Sequence, residues 1–281
     1  MEAKEEDRRS TFRADSATIA AAAASRTGVH IRELSHGREM DAVADLLTTI
    51  WKSDPKQPHI SPSLMKAMAH SGNYVVGAYR EERLVGACIG FFAEPLGQSL
   101  HSHIAGVSHD FSGRGVGSAL KLHQKAWCLR RGLSEITWTY DPLVARNAYF
   151  NLRILGAQPT EYLVDFYGLM PDEFNAGQPT DRLLLRWDLN PTIGQPVLAG
   201  SGAFALENID GEPVVHAEAG DQPHTKCRIQ VPSDIALLRI ADMPSALRWR
   251  AALRDVLTTL MSSGWSITDF DRTGFYTLER I

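Results

Sequence analysis

At 281 residues, with 44% hydrophobic and 22% charged side chains, the chain is long enough for two domains and can bury ordinary cores. Its formal net charge of −4 gives no reason to expect nucleic acid as the main partner, and its apolar runs are too short to cross a bilayer. The first ten residues are charged and contain no signal-peptide core, and the three cysteines lack C-x-x-C spacing. We therefore expect a cytoplasmic protein with free thiols, no metal site and no membrane association.

The predicted elements begin after residues 1–28, which are expected to form a flexible N-terminal tail. The stretch of alanines in this tail could form at most a frayed helix. A strand, a helix with apolar residues at helical spacing, a short helix opened by a proline, a two-stranded hairpin and a further strand follow. Their predicted bounds are His30–Leu34, Arg38–Trp51, 62–70, 73–79 with 83–92, and Leu100–Ser108.

The most informative segment is the glycine-rich turn after that last strand. Gly113, Gly115 and Gly117 fall where a helix begins, so successive backbone N–H groups can converge on one concavity. No Asp or Glu occurs over residues 112–133, although the chain is net acidic, and Arg114 lies inside the turn. This composition predicts a site for phosphate or pyrophosphate.

The spacing of the glycines separates three kinds of anion-binding turn. A dinucleotide fold requires G-x-G-x-x-G after its first strand, whereas here the third glycine comes too early and the turn lies mid-chain. A mononucleotide P-loop ends in Gly-Lys-Ser/Thr, whereas this chain has Gly117-Ser118-Ala119. The run Ser112-Gly-Arg-Gly115-Val-Gly117 instead resembles the coenzyme A loop of the GNAT superfamily of acyl-CoA N-acyltransferases, Arg/Gln-x-x-Gly-x-Gly/Ala, with Ser112 in the place of the usual Arg or Gln.

A second run of residues carries the same resemblance. Residues 133–140 alternate between apolar and polar, as a strand does, and Asp141-Pro142 then starts a helix, Leu143–Leu155, that ends at Gly156. GNAT proteins build the second half of their site in this order, and the run Ala145–Ala157 resembles that segment. The resemblance covers about residues 29–189, and its nearest branch is a little-characterised group of predicted acetyltransferases with a C-terminal extension.

The resemblance implies an α/β fold with a mixed sheet: a GNAT acyltransferase domain over residues 29–190, followed by a smaller α/β C-terminal domain over residues 191–281. The last strands of the first domain are predicted at 160–167 and 181–187, and a linker is predicted at 194–202. The second domain is expected to contain strands near 213–216 and 227–231, a helix over 244–262, and a strand pair at 265–269 and 274–280.

The resemblance also implies which residues bind an acyl-CoA. Backbone amides of the strand before the turn would meet the thioester carbonyl, the turn would hold the diphosphate, and two asparagines of the later helix would bind the pantetheine amides. Gly106 either admits a ligand or relieves crowding in a buried strand, and the asparagines are equally compatible with a solvated helix edge. The residues so assigned are Ala105, Gly106, Val107, Ser112, Gly113, Arg114, Gly115, Val116, Gly117, Ser118, Asn147 and Asn151. Lys121 and Lys125 are expected to be solvated, and His123 to be a core histidine.

Three side chains are candidates for proton transfer. His101 and His103 lie two apart on one strand, so both project to one face, where either imidazole can accept the proton of an amine directly or through a water. The alternative is a structural role, in which both histidines are half-buried and hydrogen-bonded to neighbouring residues. GNAT enzymes often protonate the leaving thiolate with a tyrosine at the position that is Leu152 here, so Tyr140 is a candidate in its place, and Tyr149 is expected to be a core or pocket aromatic.

Together these patterns predict an acyl-CoA-dependent N-acyltransferase that moves an acetyl group from acetyl-CoA to the amine of a small molecule or amino acid by direct attack. An N-succinyltransferase of amino acids stays open. So does a non-catalytic acyl-CoA-binding regulatory module, which the missing tyrosine and the serine at position 112 both suggest. The expected partner is a small-molecule amine, and the sequence leaves a homodimer open.

Overall fold

The computed structural model describes residues 2–170, 172–173, 175, 177–190, 202–216 and 226–280, with side chains described from residue 14 onward. Two compact units make up the chain: Met1–Thr137 with Pro171–Phe174 and Asp188–Asn190, and Trp138–Met170 with Asn175–Trp187 and Pro191–Ile281. The division between the units falls inside a strand and does not coincide with residue 190, so the predicted domain boundary stays a prediction. Residues 194–201 of the predicted linker lie outside the described residues.

The first unit follows the predicted order of elements. Its helices and strands are α1 (Glu2–Thr27), β1 (His30–Glu33), α2 (Gly37–Trp51), α3 (Pro62–His70), β2 (Tyr74–Arg80), β3 (Arg83–Ala93), β4 (Ser99–Val107), a 3₁₀ turn (His109–Phe111) and α4 (Val116–Arg130). Strands β1 to β4 lie side by side and antiparallel. Strand β5 (Glu135–Tyr140) begins in this unit and runs parallel to β4, with His101 opposite Thr137.

Helices cover both faces of this sheet, as two adjacent residues of β3 show. A Cβ added at Gly86 would lie 3.2 Å from a methyl of Leu120 in α4, whereas Ala87 belongs to a buried cluster with Met40 and Leu47 of α2. Because successive residues of a strand point to opposite faces, α4 and α2 pack on opposite sides of the sheet. The sheet of the first unit is therefore mixed in strand direction and lies between helices.

Helix α1 corrects the prediction of a flexible tail. The structure has a 26-residue helix over Glu2–Thr27, and its C-terminal half packs along α4. Ser16, Ala20 and Ala23 are buried at helical spacing, so small side chains allow the two helices to approach closely. An alanine-rich segment has no broad apolar stripe of its own, so its sequence alone does not reveal the helix on which it packs.

The described part of the second unit contains helices, a strand pair and a second sheet. Its elements are α5 (Ala145–Ala148), which continues as a π-helical turn (Tyr149–Ile154), β6 (Gln158–Leu163), most of β7 (Arg182–Asp188), β8 (Ala203–Ile209), β9 (Glu212–Val215), β10 (Lys226–Gln230), α6 (Ile235–Ala241), α7 (Met243–Ser262), β11 (Trp265–Phe270) and β12 (Phe275–Arg280). Strands β6 and β7 are antiparallel, and the second sheet has the order β11-β12-β10-β8-β9 with β8 and β10 parallel. The predicted C-terminal helix and final strand pair are thereby confirmed. Among the described residues, no helix combines the length and apolar character that a bilayer span requires.

A buried ion cluster organises the start of α5 within this second unit. The Asp141 carboxylate accepts two hydrogen bonds from Arg250 (2.7 and 2.6 Å) and one from Arg239 (2.7 Å). It also accepts the backbone N–H of Leu143 at 2.9 Å, in the turn that precedes α5. The three charged side chains are at most 8% exposed.

Candidate functional site

The glycine turn joins the end of β4 to the start of α4. Gly113 and Gly115 have φ angles of 74° and 86°, in the left-handed region that favours glycine. Gly115 is the N-cap of α4, and the first intrahelical bond runs from the Ala119 N–H to its carbonyl oxygen (3.0 Å). The N–H groups of residues 116–118 therefore lie at the helix N-terminus, where they have no intrahelical acceptor.

The surroundings of the turn fit an anion. The first turn of α4 contains no acidic side chain, and nothing lies within 4 Å of the place where a Cβ of Gly113 would be. Arg114 is exposed, with its guanidinium 5.7 Å from the ring centroid of Phe111. The nearby carboxylate of Asp110 is paired with Arg83 at 2.8 Å. Donors, helix polarity and open space thus coincide at this turn, as a diphosphate requires.

Gly106 of β4 has a packing role. A Cβ at this position would lie 2.9 Å from Ile50 Cδ1 and 2.9 Å from Trp51 Cζ3, at the end of α2. The glycine therefore allows α2 to pack directly on β4, which explains its presence without a ligand. Ala105 is exposed and Val107 is half-buried, and the binding role of the backbone amides at these three positions stays a prediction.

His101 and His103 lie together on one face of β4. Their ring centroids are 6.5 Å apart, and both rings contact Phe91, at 5.2 and 5.9 Å. In the pairing of β3 with β4, Ser102 and Ile104 oppose successive residues of β3, so His103 is the extra residue of a β-bulge. A bulge re-aims side chains and is frequent beside active sites.

Both imidazoles are neutral at pH 7. Burial lowers the pKa of His101 to about 4, with smaller contributions from His103 and Lys121. Burial also lowers the pKa of His103, and a positive charge on His59 lowers it further. The Nδ1 atom of His101 is hydrogen-bonded to Thr137 Oγ1 at 3.2 Å, which fixes the orientation of that ring. The pair therefore offers unprotonated imidazole at the strand that leads into the glycine turn.

Two further residues near this face were missed by sequence reasoning. His59, in the loop after α2, packs edge-on against Trp51 with ring centroids 5.4 Å apart. Asp172 is buried and forms an isolated β-bridge with Ser53. Burial lowers the pKa of His59, and the Asp172 carboxylate offsets part of that shift. No local pattern marks these residues, because they meet only through tertiary structure.

Lys121 is buried, which corrects the expectation that it is solvated. Its ammonium donates to Ser102 Oγ (2.8 Å) and to Gln124 Oε1 (3.3 Å), and burial lowers its pKa to about 8. The contact with Ser102 places Lys121 on the side of α4 that faces strand β4, so the sheet covers its ammonium. Lys125 is half-buried, and His123 is the expected core histidine, bonded to the Tyr74 hydroxyl at 2.9 Å.

The remaining candidates lie in the second unit. Tyr140 is buried, and its hydroxyl is 3.0 Å from that of Tyr276, which itself donates to the Pro142 carbonyl at 2.7 Å. The Tyr140 hydroxyl therefore donates its hydrogen bond to Tyr276. Burial also raises the pKa of Tyr140, so both observations argue against Tyr140 as the proton donor to the thiolate. Asn151 is buried and accepts a hydrogen bond from Trp138 Nε1 (3.2 Å).

The helix after β5 is also irregular. Its π-helical turn, Tyr149–Ile154, changes the register, so counting back from Gly156 no longer identifies which side chains share a face. The Tyr149 hydroxyl accepts from Arg272 Nε (2.9 Å), and Asn147 is exposed. The assignment of the two asparagines to pantetheine stays a prediction.

Comparison with models of protein families identifies the family that a segment of the chain resembles. Residues 40–156 match the model of the acetyltransferase (GNAT) family. This segment of the chain therefore forms a domain of the GNAT family. The match begins in α2 and ends at Gly156, so it contains β4, the glycine turn and α4. The resemblance inferred from the sequence motifs is thereby confirmed.

Three solved structures illustrate the likeness of the fold. A putative GNAT acetyltransferase from Desulfovibrio desulfuricans is 15% identical, with a TM-score of 0.49 and coverage of 58% of this chain and 99% of that one. A putative acetyltransferase from Salmonella typhimurium, solved with acetyl-CoA, is 12% identical, with a TM-score of 0.47 and coverage of 60% and 98%. The ribosomal-protein-S18-alanine N-acetyltransferase from Escherichia coli is 12% identical, with a TM-score of 0.46 and coverage of 60% and 98%. No curated protein matches in sequence, so the family assignment depends on the family model.

The family match gives this domain a class of reaction and a co-substrate. GNAT acetyltransferases use acetyl-CoA, so residues 40–156 are assigned to an acyltransferase domain that draws on an acyl-CoA. Over the part of the chain that the structure describes, no group of three or more His, Cys, Asp or Glu side chains is placed to hold a metal ion. Cys88, Cys128 and Cys227 are free and buried.

Proposed function

We propose that this GNAT protein is an N-acetyltransferase that moves the acetyl group of acetyl-CoA onto the amine of a small molecule or amino acid by direct attack. The observation that carries the proposal is the pair of neutral imidazoles, His101 and His103, on the strand that leads into the glycine turn. An amine acceptor needs such a base, because an ammonium group with a pKa near ~10 has no lone pair at neutral pH.

The first unit supplies the groups that would hold the co-substrate. Backbone N–H groups from Gly113 to Ser118 and the Arg114 guanidinium would bind the diphosphate, as the geometry of the turn supports. Backbone amides at 105–107 would contact the acyl carbonyl. When bound, acetyl-CoA supplies the activated acyl group.

His103 is the better base of the two histidines. The His101 ring is held by Thr137 and has a pKa of about 4, so it binds a proton weakly. Among the described residues no such hydrogen bond ties the His103 ring. We therefore assign acceptance of the amine proton to His103, directly or through one water, and orientation of the site to His101. Coenzyme A thiolate can leave without an acid, so the engaged Tyr140 hydroxyl does not exclude turnover.

The decisive experiment follows release of free thiol from acetyl-CoA in the presence of a panel of aliphatic amines, aromatic amines and amino acids. We expect amine-dependent release, at least tenfold slower in His103→Gln at pH 7, since general-base catalysis contributes roughly 10²–10⁴-fold. His30→Gln, the same change at an exposed histidine, is the control and should retain the wild-type rate. Parallel assays with succinyl-CoA test the longer acyl donor.

A second candidate is a non-catalytic acyl-CoA-binding module. The observation that favours it is the buried hydrogen bond between Tyr140 and Tyr276, which engages the hydroxyl that was the candidate to replace the missing tyrosine at position 152. Binding of acetyl-CoA without thiol release for any amine would support the module and contradict the enzyme.

A further inference from the structure

The middle of β4 reverses the direction in which its side chains point. Residues two apart on a regular strand face the same side of the sheet. Ser102 points toward α4, because its Oγ accepts a hydrogen bond from Lys121 at 2.8 Å. Ile104 instead packs against the apolar cluster to which α2 contributes, on the opposite side. The extra residue between them, His103, accounts for the reversal, since a β-bulge shifts the alternation by one residue.

A buried polar cluster holds the bulge on the α4 side of the sheet. The Lys121 ammonium donates to Ser102 Oγ and also to Gln124 Oε1, at 3.3 Å. The Sγ atom of Cys88, on β3, lies 3.8 Å from the same serine oxygen. All four side chains are buried, so Ser102 is fixed between a helix and the neighbouring strand.

Gly90, which pairs with Ser102, shows how closely α4 approaches the bulge. A Cβ at Gly90 would lie 2.9 Å from the carbonyl oxygen of His101 and 3.2 Å from Gln124 Nε2. The glycine therefore lets the Gln124 side chain lie against the strand pair, where it accepts the second hydrogen bond of Lys121. The helix and the bulge are packed directly on each other.

Straightening β4 would break one of two buried contacts. Regular alternation would place Ser102 and Ile104 on the same face of the sheet. Either Ser102 would turn away from Lys121, or Ile104 would leave the apolar cluster of α2. Depriving a buried ammonium of an acceptor is costly, so the hydrogen bond between Lys121 and Ser102 opposes the first of these changes.

On the basis of the proposed function, we propose that Lys121 is a positioning residue for His103: its hydrogen bond to Ser102 holds the bulge that directs the His103 imidazole toward the acceptor amine. His103 takes the proton, and Lys121 acts only through Ser102. Because Lys121 belongs to α4, the helix that begins at the glycine turn also fixes the base.

Amide hydrogen exchange in the full chain tests this anchor without catalysis. Lys121→Met keeps an unbranched apolar side chain and removes the ammonium, whereas Ser102→Ala removes the acceptor. We expect each variant to exchange at least tenfold faster at residues 102–104, because the bulge is no longer held on the α4 side. Lys66→Met, the same change at an exposed lysine of α3, is the control and should leave this exchange unchanged. Unchanged exchange at the bulge in either variant overturns the proposal.

The pH dependence of the rate separates positioning from a merely structural role. Lys121→Met and Ser102→Ala should each lower kcat/KM for the amine at pH 7 at least tenfold, with KM for acetyl-CoA unchanged, since a misplacement of about 1 Å can cost about 10²-fold. The loss should shrink above pH ~10, where the amine is already deprotonated and needs no base. An equal loss at every pH would indicate general damage and overturn the proposal.

A double-mutant cycle tests whether Lys121 acts through Ser102. The variant that carries both changes should be no slower than the slower single variant, because the two changes remove the same hydrogen bond. Losses that multiply would show two independent effects and overturn the proposal. An active wild type whose rate neither change lowers overturns the positioning role alone. A wild type that is inactive with every amine overturns the proposed function as well.

Discussion

Asp141→Asn should be among the most destabilising single substitutions in the second unit. The carboxylate accepts three charge-assisted hydrogen bonds from Arg250 and Arg239, and all three side chains are buried. Asparagine keeps an oxygen for the Leu143 N–H but removes the negative charge to which two buried guanidinium groups are hydrogen-bonded. Removing one partner of a buried ion pair costs about 3–5 kcal/mol, against a total stability of about 5–15 kcal/mol.

The effect should depend on pH with a definite sign. Burial alone would raise the pKa of Asp141, but the Arg250 and Arg239 guanidinium groups outweigh it and hold that pKa well below its usual range. A carboxyl group with a depressed folded-state pKa contributes stability above its unfolded-state value, about 3.9, and loses it as the pH falls. The difference between wild type and variant should therefore be full at pH 7 and shrink below about pH 4.

Urea unfolding followed by tryptophan fluorescence measures this difference. Glu212→Gln is the matched control, because Glu212 also forms two short hydrogen bonds with one arginine, Arg248 (2.7 and 2.6 Å), but both side chains are 49% exposed. The control should cost at most about 1 kcal/mol. A cost for Asp141→Asn that equals the control would refute the reasoning from burial.

Two further predictions concern the first unit. Gly106→Ala should lower the free energy of unfolding by about 1–3 kcal/mol, because the added methyl group overpacks against Ile50 and Trp51. Gly37→Ala, which has no atom within 4 Å of the added methyl group, should change it by about 0.5 kcal/mol at most. Equal effects of the two substitutions would contradict the packing argument. The pKa of Lys121 is lowered to about 8 from 10.5, so wild-type stability should rise with pH across that interval, and Lys121→Met should abolish the rise. Unfolding midpoints measured from pH 7 to pH 11 test this, and an unchanged slope in the variant would refute it.

Local signals determined the predictions that the structure confirms. Helix α3 begins and ends where expected because Pro62 fixes its first turn and the Ser61 hydroxyl caps it, accepting the Leu64 N–H at 3.2 Å. The start of α4 was recognisable because Gly113 and Gly115 adopt conformations that favour glycine. Features that depend on neighbouring residues in sequence were therefore readable in advance.

The features that were missed depend on residues far apart in the chain. Asp141 meets Arg239 and Arg250 across 98 and 109 positions, so no residue near it in the sequence indicates the ion cluster. The burial of Lys121 requires strand β4 to bring Ser102 onto its ammonium, and the approach of Asp172 to Ser53 requires the return of a distant segment. In each case tertiary packing determines the environment of the side chain, and the periodicity of a single helix or strand carries no information about that packing.

Calorimetric titration with acetyl-CoA tests the central claim, that the N-terminus of α4 holds the coenzyme diphosphate. Ser118→Asp places a carboxylate in the first turn of α4, where it should stabilise the helix by about 0.3–1 kcal/mol yet repel the phosphates. Ser63→Asp makes the same change in the first turn of α3 and is the control. We predict that Ser118→Asp weakens binding at least tenfold, since two like charges a few ångströms apart near a surface repel by more than about 1.4 kcal/mol, whereas Ser63→Asp leaves the Kd unchanged. Equal affinities for the wild type and Ser118→Asp would contradict the account.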